Sequence, residues 1–379
     1  MNILYLLTYD YSFESWNSNG NFSREKKYFN EFSSKYKDVN FIFITYGDEN
    51  DLKYSKDLNN QKVIPVYRNI KFNNNNFIRL LKSFLIPFKL YKVIKNENIQ
   101  VIKQNQLQGV WVAIIFKLLL RVPLITRTGY SVLEFKLKEK GKLFTKIFYY
   151  FITYLALSFS NIFTVTSQQD VFFLKKFFIF NKNKIYIRPN FVLIPKHSEF
   201  TKRSKNFISV GRLEPQKNIN YQIKEFSNSE YEIDHFGEGN LYSILLDYSK
   251  KMNTKISFKK NIDNVELIET YKKYKYYISS SIYEGNPKTI LEAMAAGCIV
   301  IAPKIPNVEE IIQNNHNGFL YKLTEGSLKN TIEKVTNLTF DLEKISYNAI
   351  TTVNLNNNLS NLVKNEYHDF ISVNSSNSP

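Results

Sequence analysis

The chain has a single cysteine, Cys298, in 379 residues. That excludes an intrachain disulfide and any metal cluster built on several thiolates, and it fits a reducing compartment. Cys298 follows Gly297 in an apolar run and reads as a buried core thiol. Histidine is almost as scarce, with four in all. The first is His197, and His235, His316 and His368 have no triad or metal spacing, so ordinary structural roles are expected of them. No Asp-X-Asp sequence occurs, and no metal is expected. A long hydrophobic run is also lacking. The most apolar stretch, 142–160, is broken by Lys142 and Lys146, which leaves about 13 clean residues against the roughly 20 needed to cross a bilayer. It reads as a buried core helix. The start, MNILYLLTYD, has no basic leader and no small-residue cleavage site. It reads as a first strand over residues 3–7 and not as a signal peptide, so a cytoplasmic location is expected.

What the chain does have is positive charge, formally +17. Lys, Asn, Ile, Tyr and Phe are all abundant, as in an A/T-rich coding bias. The resulting field still favours anionic partners: nucleotide sugars, anionic lipid or nucleic acid. No helix-turn-helix, zinc finger or RNA-recognition signature accompanies the charge, so nucleic acid is the weakest of the three. VFFLKKFFIF (171–180) sets aromatic residues around Lys175 and Lys176, a pattern that suits a membrane interface or a core helix with two exposed lysines. Hydrophobic residues make up 44% and charged residues 22%, a globular composition, and the length suggests two domains.

Apolar, β-branched segments alternate with helical patterns. Residues 41–45, 63–67, 101–103, 123–126 and 162–166 read as strands, with helices at 22–36 and 77–95 between them. This alternation predicts an α/β fold with parallel, doubly wound sheets. A polar run, 195–206, divides it from a second β/α series starting at Phe207. The expected domains are 1–195, 196–355 and a terminal segment, 356–379, in which 359–371 is a helix and VNSSNSP a frayed tail.

Residues 276–303 carry most of the chemistry. YYISSS (276–281) reads as a strand, Asn286 as an N-cap, Pro287 as the first helical residue and Gly297 as the helix end. Glu284 and Glu292 bracket this helix start, eight positions apart. A loop at the carboxyl end of a parallel strand is where such sheets bind ligands, and a helix start favours an anion. Two carboxylates there suit a ligand with hydroxyl pairs and a phosphate. FISVGRLEPQKN (207–218) repeats the arrangement: strand, Gly211 turn, then Arg212 and Lys217, a fork and a point charge fit for a diphosphate. HFGEGNL places Gly237 and Gly239 after a third strand, 231–236, and 256–262 reads as the next.

EGNPKTILEAMAAGCIVIAP resembles the Glu-X7-Glu region of retaining glycosyltransferases of the GT-B class, family 4, and GRLEPQKN resembles the same family's upstream segment. The resemblance implies two Rossmann-like domains facing across a cleft, with the nucleotide-sugar donor on the C-terminal one and a glycan or lipid-linked saccharide acceptor on the other. It implies that Glu292 binds the donor ribose and Glu284 the transferred sugar. It further implies that Asn286, Pro287, Lys288 and Thr289 face the diphosphate, that Arg212 and Lys217 neutralise it, and that Gly237 and Gly239 form a donor-side loop. UDP-sugar is the default donor, with GDP-sugar open, and surface polysaccharide or lipopolysaccharide the setting. The terminal helix is expected to cross back to the first domain. On the acceptor side, Gly20 and Asn21 stand where the family often has a glycine pair, and Arg127 ends a strand in position to meet a phosphate or a sugar acid, or to be a surface arginine. The histidine that many relatives place in the N-terminal domain is absent. A nucleotide-sugar epimerase of the same fold and a basic nucleic-acid-binding protein are the alternatives.

Overall fold

In the computed structural model, which describes residues 1–138, 141–178, 184–196, 199–337 and 340–375, two β/α series cluster into two compact units. Unit 1 comprises residues 1–188 together with the chain from Leu362 on, and unit 2 runs from Pro189 to Asn361. His197, the end of segment 171–180 and the last residues of the expected tail lie outside the described residues.

Unit 1 holds strands β1 (Asn2–Leu6), β2 (Asn40–Thr45), β3 (Lys62–Pro65), β4 (Ile99–Gln104), β5 (Leu124–Arg127), β6 (Ile162–Val165) and β7 (Ile185–Ile187). Among the described residues they form one sheet in the order β3-β2-β1-β4-β5-β6-β7, every pair parallel. Its helices are α1 (Phe13–Ser18), α2 (Phe22–Lys35), α3 (Val66–Asn69), α4 (Asn76–Ser83), α5 (Ile86–Lys95), α6 (Val110–Leu120), α7 (Val132–Lys138), α8 (Leu143–Phe159) and α9 (Gln168–Phe177). Strands covered on both faces are apolar throughout, as in β1 and β2, whose residues from Ile3 to Leu6 and from Phe41 to Thr45 are all buried.

Unit 2 repeats the plan. Strands β8 (Ser204–Val210), β9 (Ile233–Phe236), β10 (Ile256–Lys259), β11 (Tyr274–Ile278), β12 (Ile299–Pro303) and β13 (Phe319–Tyr321) pair in parallel in the order β10-β9-β8-β11-β12-β13. Helices α10 (Ile219–Glu225), α11 (Tyr242–Lys251), α12 (Asn264–Tyr271), α13 (Lys288–Ala295), α14 (Pro306–Glu309), α15 (Ser327–Thr336) and α16 (Leu342–Asn356) follow, and α17 (Leu359–Ser375) belongs from Leu362 on to unit 1. The strand order reverses between β8 and β11, so the loops leaving these two strands diverge and open a crevice at their carboxyl ends. Cys298 is fully buried in this unit, and burial pushes its thiol up to about 12.

Several boundaries differ from the sequence reading, each for a local reason. The helical pattern 77–95 is two helices, because Pro87 at the start of α5 has no N–H and its ring would clash with the Ser83 carbonyl. The strand at 63–67 stops at Pro65 and turns into α3. The strand at 256–262 stops at Lys259. Ser18 closes α1, an element the sequence reading lacked before α2. The 142–160 segment is a helix, but its burial is one-sided, with Ile152, Thr153, Ala156 and Leu157 inside. In 171–180, Val171 and Leu174 are buried while Phe172, Lys175 and Lys176 are exposed. The units divide at Arg188 and Asn361, ahead of the first expected boundary and beyond the second.

In unit 1, the middle of α17 meets β4 and α2 through a buried charge cluster. Lys103 of β4 bonds Glu366 at 2.6 Å, with both side chains 3% exposed. Tyr28 of α2 donates its hydroxyl to the same carboxylate. Burial pushes the Glu366 carboxyl up, but Lys103 and then Arg127 outweigh it and hold the group below the usual carboxylate range. Phe370 fills the space beside them, 5.4 Å from Lys103 Nζ and edge-packed on Phe41. Arg188 grips Asp369 in a fork, at 2.8 and 2.5 Å.

Removing one partner of this pair is expected to strand a buried charge. Lys103→Met should lower stability by about 3–5 kcal/mol, and adding Glu366→Leu should recover most of that. Urea denaturation of the full chain checks it. The acid-side sign follows from the depressed Glu366: its contribution is complete above the ordinary carboxylate pKa of about 4.3 and is lost as pH falls below that.

Candidate active site

The site in unit 2 is assembled from loops at the carboxyl ends of β8, β9 and β11. β8 runs beside β11 with Phe207 opposite Tyr276, their rings stacked at 4.9 Å. Gly211 begins the loop after β8 and Glu284 lies in the loop after β11. Lys217 reaches across and bonds Glu284 Oε1 at 2.5 Å, with side chains 19% and 9% exposed. The structure therefore joins two sequence-predicted residues that are 67 positions apart.

Polar side chains that sequence reading passed over hold these loops. Ser280 Oγ donates to the Lys217 carbonyl at 2.7 Å and accepts from Gln222 Nε2 at 2.9 Å. Gln216 Nε2 donates to the Tyr283 carbonyl, and the Gln216 carbonyl accepts from the Ile282 amide. On the other side Asn307 Nδ2 donates to the Gly285 carbonyl and Asn190 Nδ2 to the Asn286 carbonyl. Ser280 turns to these bonds, and β11 ends at Ile278 and not at Ser281. An asparagine or glutamine in a loop looks the same in sequence whether it caps a carbonyl or faces water, and no signal marked these.

The helix after this loop starts one residue later than its sequence predicts. Pro287 occupies the N-cap position with φ −73° and ψ 95°, a ψ outside the helical range, and α13 begins at Lys288. The N-cap position thus falls on Pro287 and not on Asn286. Leu291 N–H donates to the Pro287 carbonyl as a rung of the first turn, and the N–H groups that open a helix have no partner within it. Glu292 sits one turn in and is buried, and accepts from Asn264 Nδ2 of α12 at 2.7 Å. Thr289 Oγ1 accepts from the Tyr277 hydroxyl at 3.0 Å.

The two glycines of the β9 loop are required by close approach. A Cβ on Gly237, whose φ is +144°, would fall 2.0 Å from the Gly211 carbonyl oxygen, and one on Gly239 would fall 2.5 Å from that of Leu213. The β8 and β9 loops are thus laid backbone to backbone, with Leu213 N–H donating to Glu238 O. His235 of β9 locks the arrangement from below. Its Nε2 lies 2.9 Å from the Gly211 carbonyl and its Nδ1 3.2 Å from Ser209 Oγ. Burial, partly offset by the Gly211 bond, lowers its pKa to about 4.

The remaining predicted residues stand apart from this group. Arg212 is 70% exposed on its side chain and bonds Glu214 at 2.7 Å. Gly20, Asn21 and Arg127 belong to unit 1. Gly20 has φ +68° in the turn between α1 and α2, and Asn21 is the N-cap residue of α2 without a side-chain cap. Arg127 is no surface arginine: it acts electrostatically on Tyr5, Tyr28, Lys103 and Glu366 of the buried cluster.

Two parallel doubly wound units, the second with cations, carboxylates and a helix start around one crevice, define the GT-B class of fold. The chain is a glycosyltransferase: residues 193–352 match the family model for Glycosyl transferases group 1. Over 289 residues it is 24% identical to UDP-Gal:alpha-D-GlcNAc-diphosphoundecaprenol alpha-1,3-galactosyltransferase of Escherichia coli, covering 68% of this chain and 72% of that protein. Over 279 residues it is 26% identical to the capsular polysaccharide biosynthesis glycosyltransferase CapH of Staphylococcus aureus, covering 67% and 74%. Among solved structures, Anabaena HepE in complex with UDP has a TM-score of 0.76 at 15% identity, over 98% of this chain and 100% of that one. The apo lipopolysaccharide outer core galactosyltransferase WaaB has a TM-score of 0.70 at 16% identity, over 98% and 99%.

His235 makes the site acid-sensitive in a definite direction. A base whose folded pKa is depressed contributes stability that is complete above its unfolded pKa of about 6.5 and is lost as pH falls through the folded value. Between pH 6.5 and 4 the loss is expected to approach 3 kcal/mol, at about 1.4 kcal/mol per unit. Melting temperatures of the wild type and His235→Gln across this range check it: the gap between them should close on acidification.

Proposed function

We propose that this chain is a retaining glycosyltransferase of family 4 that moves a sugar from a UDP-sugar to a saccharide acceptor carried on a lipid, in surface polysaccharide or lipopolysaccharide synthesis. The observation that carries the reading is the Lys217–Glu284 pair beside the start of α13, with Glu292 and Asn264 one helical turn away. A nucleoside diphosphate matches that set: diphosphate over the helix start, ribose on Glu292, sugar toward Glu284. The E. coli and S. aureus relatives, whose names specify a diphosphoundecaprenol-linked acceptor and capsular polysaccharide, support the acceptor class.

In this reading the diphosphate draws Lys217 Nζ away from Glu284, and the carboxylate so released accepts hydrogen bonds from sugar hydroxyls. Arg212 turns from its exposed bond with Glu214 to the same phosphates. The bond between the anomeric carbon and the diphosphate oxygen breaks, and the acceptor oxygen bonds the anomeric carbon on the same face. The acceptor proton passes to the departing phosphate. Positive charge held in place where negative charge develops is the main source of rate.

Lys217→Ala and Arg212→Ala are each expected to lower kcat/KM by about 10²–10³ while the fold persists. Glu292→Gln is expected to weaken binding of free UDP, and Glu284→Gln to lower turnover with UDP affinity kept. Calorimetry with UDP beside a radiolabelled-sugar transfer assay decides it: equal loss of UDP affinity in both glutamate variants refutes the division of roles.

Lys217 and Arg212 supply the charge that a divalent cation gives other transferases, so turnover is expected to persist in EDTA. Activity abolished by the chelator and restored by Mn²⁺ or Mg²⁺ refutes this.

A further inference from the structure

The helices of unit 1 leave a large apolar surface uncovered. On α8, Leu143, Phe144, Ile147, Phe151 and Tyr154 recur at helical spacing and are 71%, 78%, 57%, 57% and 45% exposed. The buried face of the helix is opposite. A second stripe runs from α4 into α5 through Phe77, Leu81, Leu85 and Phe88, each more than half exposed. α6 packs between α5 and α8, so the outer faces of the three lie side by side, with exposed Leu118 on α6 between the stripes. α7 packs on α8, and between α7 and α9 lies an open groove of about 370 Å³, walled by Leu137, Phe172, Phe173 and Phe177.

The charge around this surface has one sign. Helices α4, α5, α6 and α8 contain no acidic residue, and they carry lysines 82, 89, 92, 95, 117 and 146, with Lys142 just before α8. In the groove, Glu134 is bonded to Lys138 at 2.7 Å, and Lys176 stands at the wall. Residues 58–198 hold 23 Lys and Arg against four Asp and Glu, whereas the rest of the chain holds 28 against 30. The whole positive excess thus lies in the segment that bears the apolar stripes, which a uniform compositional bias does not produce. A second copy of the chain meeting it through the same face would bring like charge. Exposed aromatic stripes without acidic neighbours match a negatively charged bilayer, into whose headgroup region apolar side chains insert while lysines pair with phosphates. No helix among the described residues is long and apolar enough to cross a membrane.

We propose that the face formed by α4, α5, α6 and α8 docks unit 1 on an anionic lipid bilayer, with the α7–α9 groove at its edge. The inference deepens the lipid-linked acceptor of the preceding reading but rests on a different unit of the chain. Flotation of the full chain with vesicles of phosphatidylcholine, with and without phosphatidylglycerol, tests it. Binding is expected only with phosphatidylglycerol and is expected to fall steeply with salt. Lys142→Gln/Lys146→Gln should weaken it about 25-fold. Ile147→Asp/Phe151→Asp should abolish it, with circular dichroism checking the fold; should that variant unfold, the lysine pair alone decides. Lys250→Gln/Lys251→Gln on α11 of unit 2 should bind as the wild type does. Equal binding to both vesicle types, no binding, equal loss in the α11 control, or tighter binding to duplex DNA than to anionic vesicles overturns the proposal. UDP calorimetry on the same proteins separates the two readings: nucleotide binding without vesicle binding sinks the surface alone, and vesicle binding without nucleotide binding sinks the donor site alone.

Discussion

Parallel pairing of β8 with β11 is the constraint on which the site depends. These strands are neighbours in the sheet but are separated in the chain by two complete β/α units. Because the strand order reverses there, their following loops part and leave room for a ligand between them. Lys217 and Glu284 meet only because both loops leave the same edge of the sheet at the same level. A slip of one residue in the pairing would turn every side chain of β11 to the other face and dismantle the pair.

Hydrogen bonds to loop carbonyls then fix the geometry. Ser280, Gln216, Asn190 and Asn307 each take a backbone carbonyl from one of the two loops, and Ser280 spans both of them. Gly237 and Gly239 allow a third loop to press against the first, where any Cβ would collide. His235 closes this stack as a neutral ring, and Asn264 orients Glu292. The charged groups are few, and the neutral ones around them do the positioning. This division leaves the backbone of the loops fixed while the Lys217 and Arg212 side chains keep charged partners of their own.

Unit 1 arranges charge and apolar surface differently. Its one deeply buried ion pair, among the described residues, ties α17 to β4, and it is surrounded by aromatic rings and a tyrosine hydroxyl that meet its hydrogen-bonding needs. Its exposed lysines instead flank helices whose apolar faces are exposed among the described residues. Exposed phenylalanines gather on these helices, whereas the exposed aromatics of the other unit are the tyrosines Tyr242 and Tyr347.

The sequence by itself determined the alternation of strands and helices, the parallel class of both sheets and the pairing of a cation loop with a Glu-Gly-Asn-Pro loop. Local rules suffice for these, since apolar runs, glycine turns and helix periods are properties of neighbouring residues. Its boundary errors have local causes too: Pro87 splits a helix, and Pro287 closes a cap instead of opening a turn. What only the tertiary structure decided are the partners. That Lys217 bonds Glu284, that Asn264 holds Glu292, and that Arg127 serves a buried cluster all depend on strand order, which acts between residues far apart in the chain. The face of α8 is the same kind of fact: its sequence is apolar all round, and only the packing of α6 and α7 against one side settles which rings are left outside.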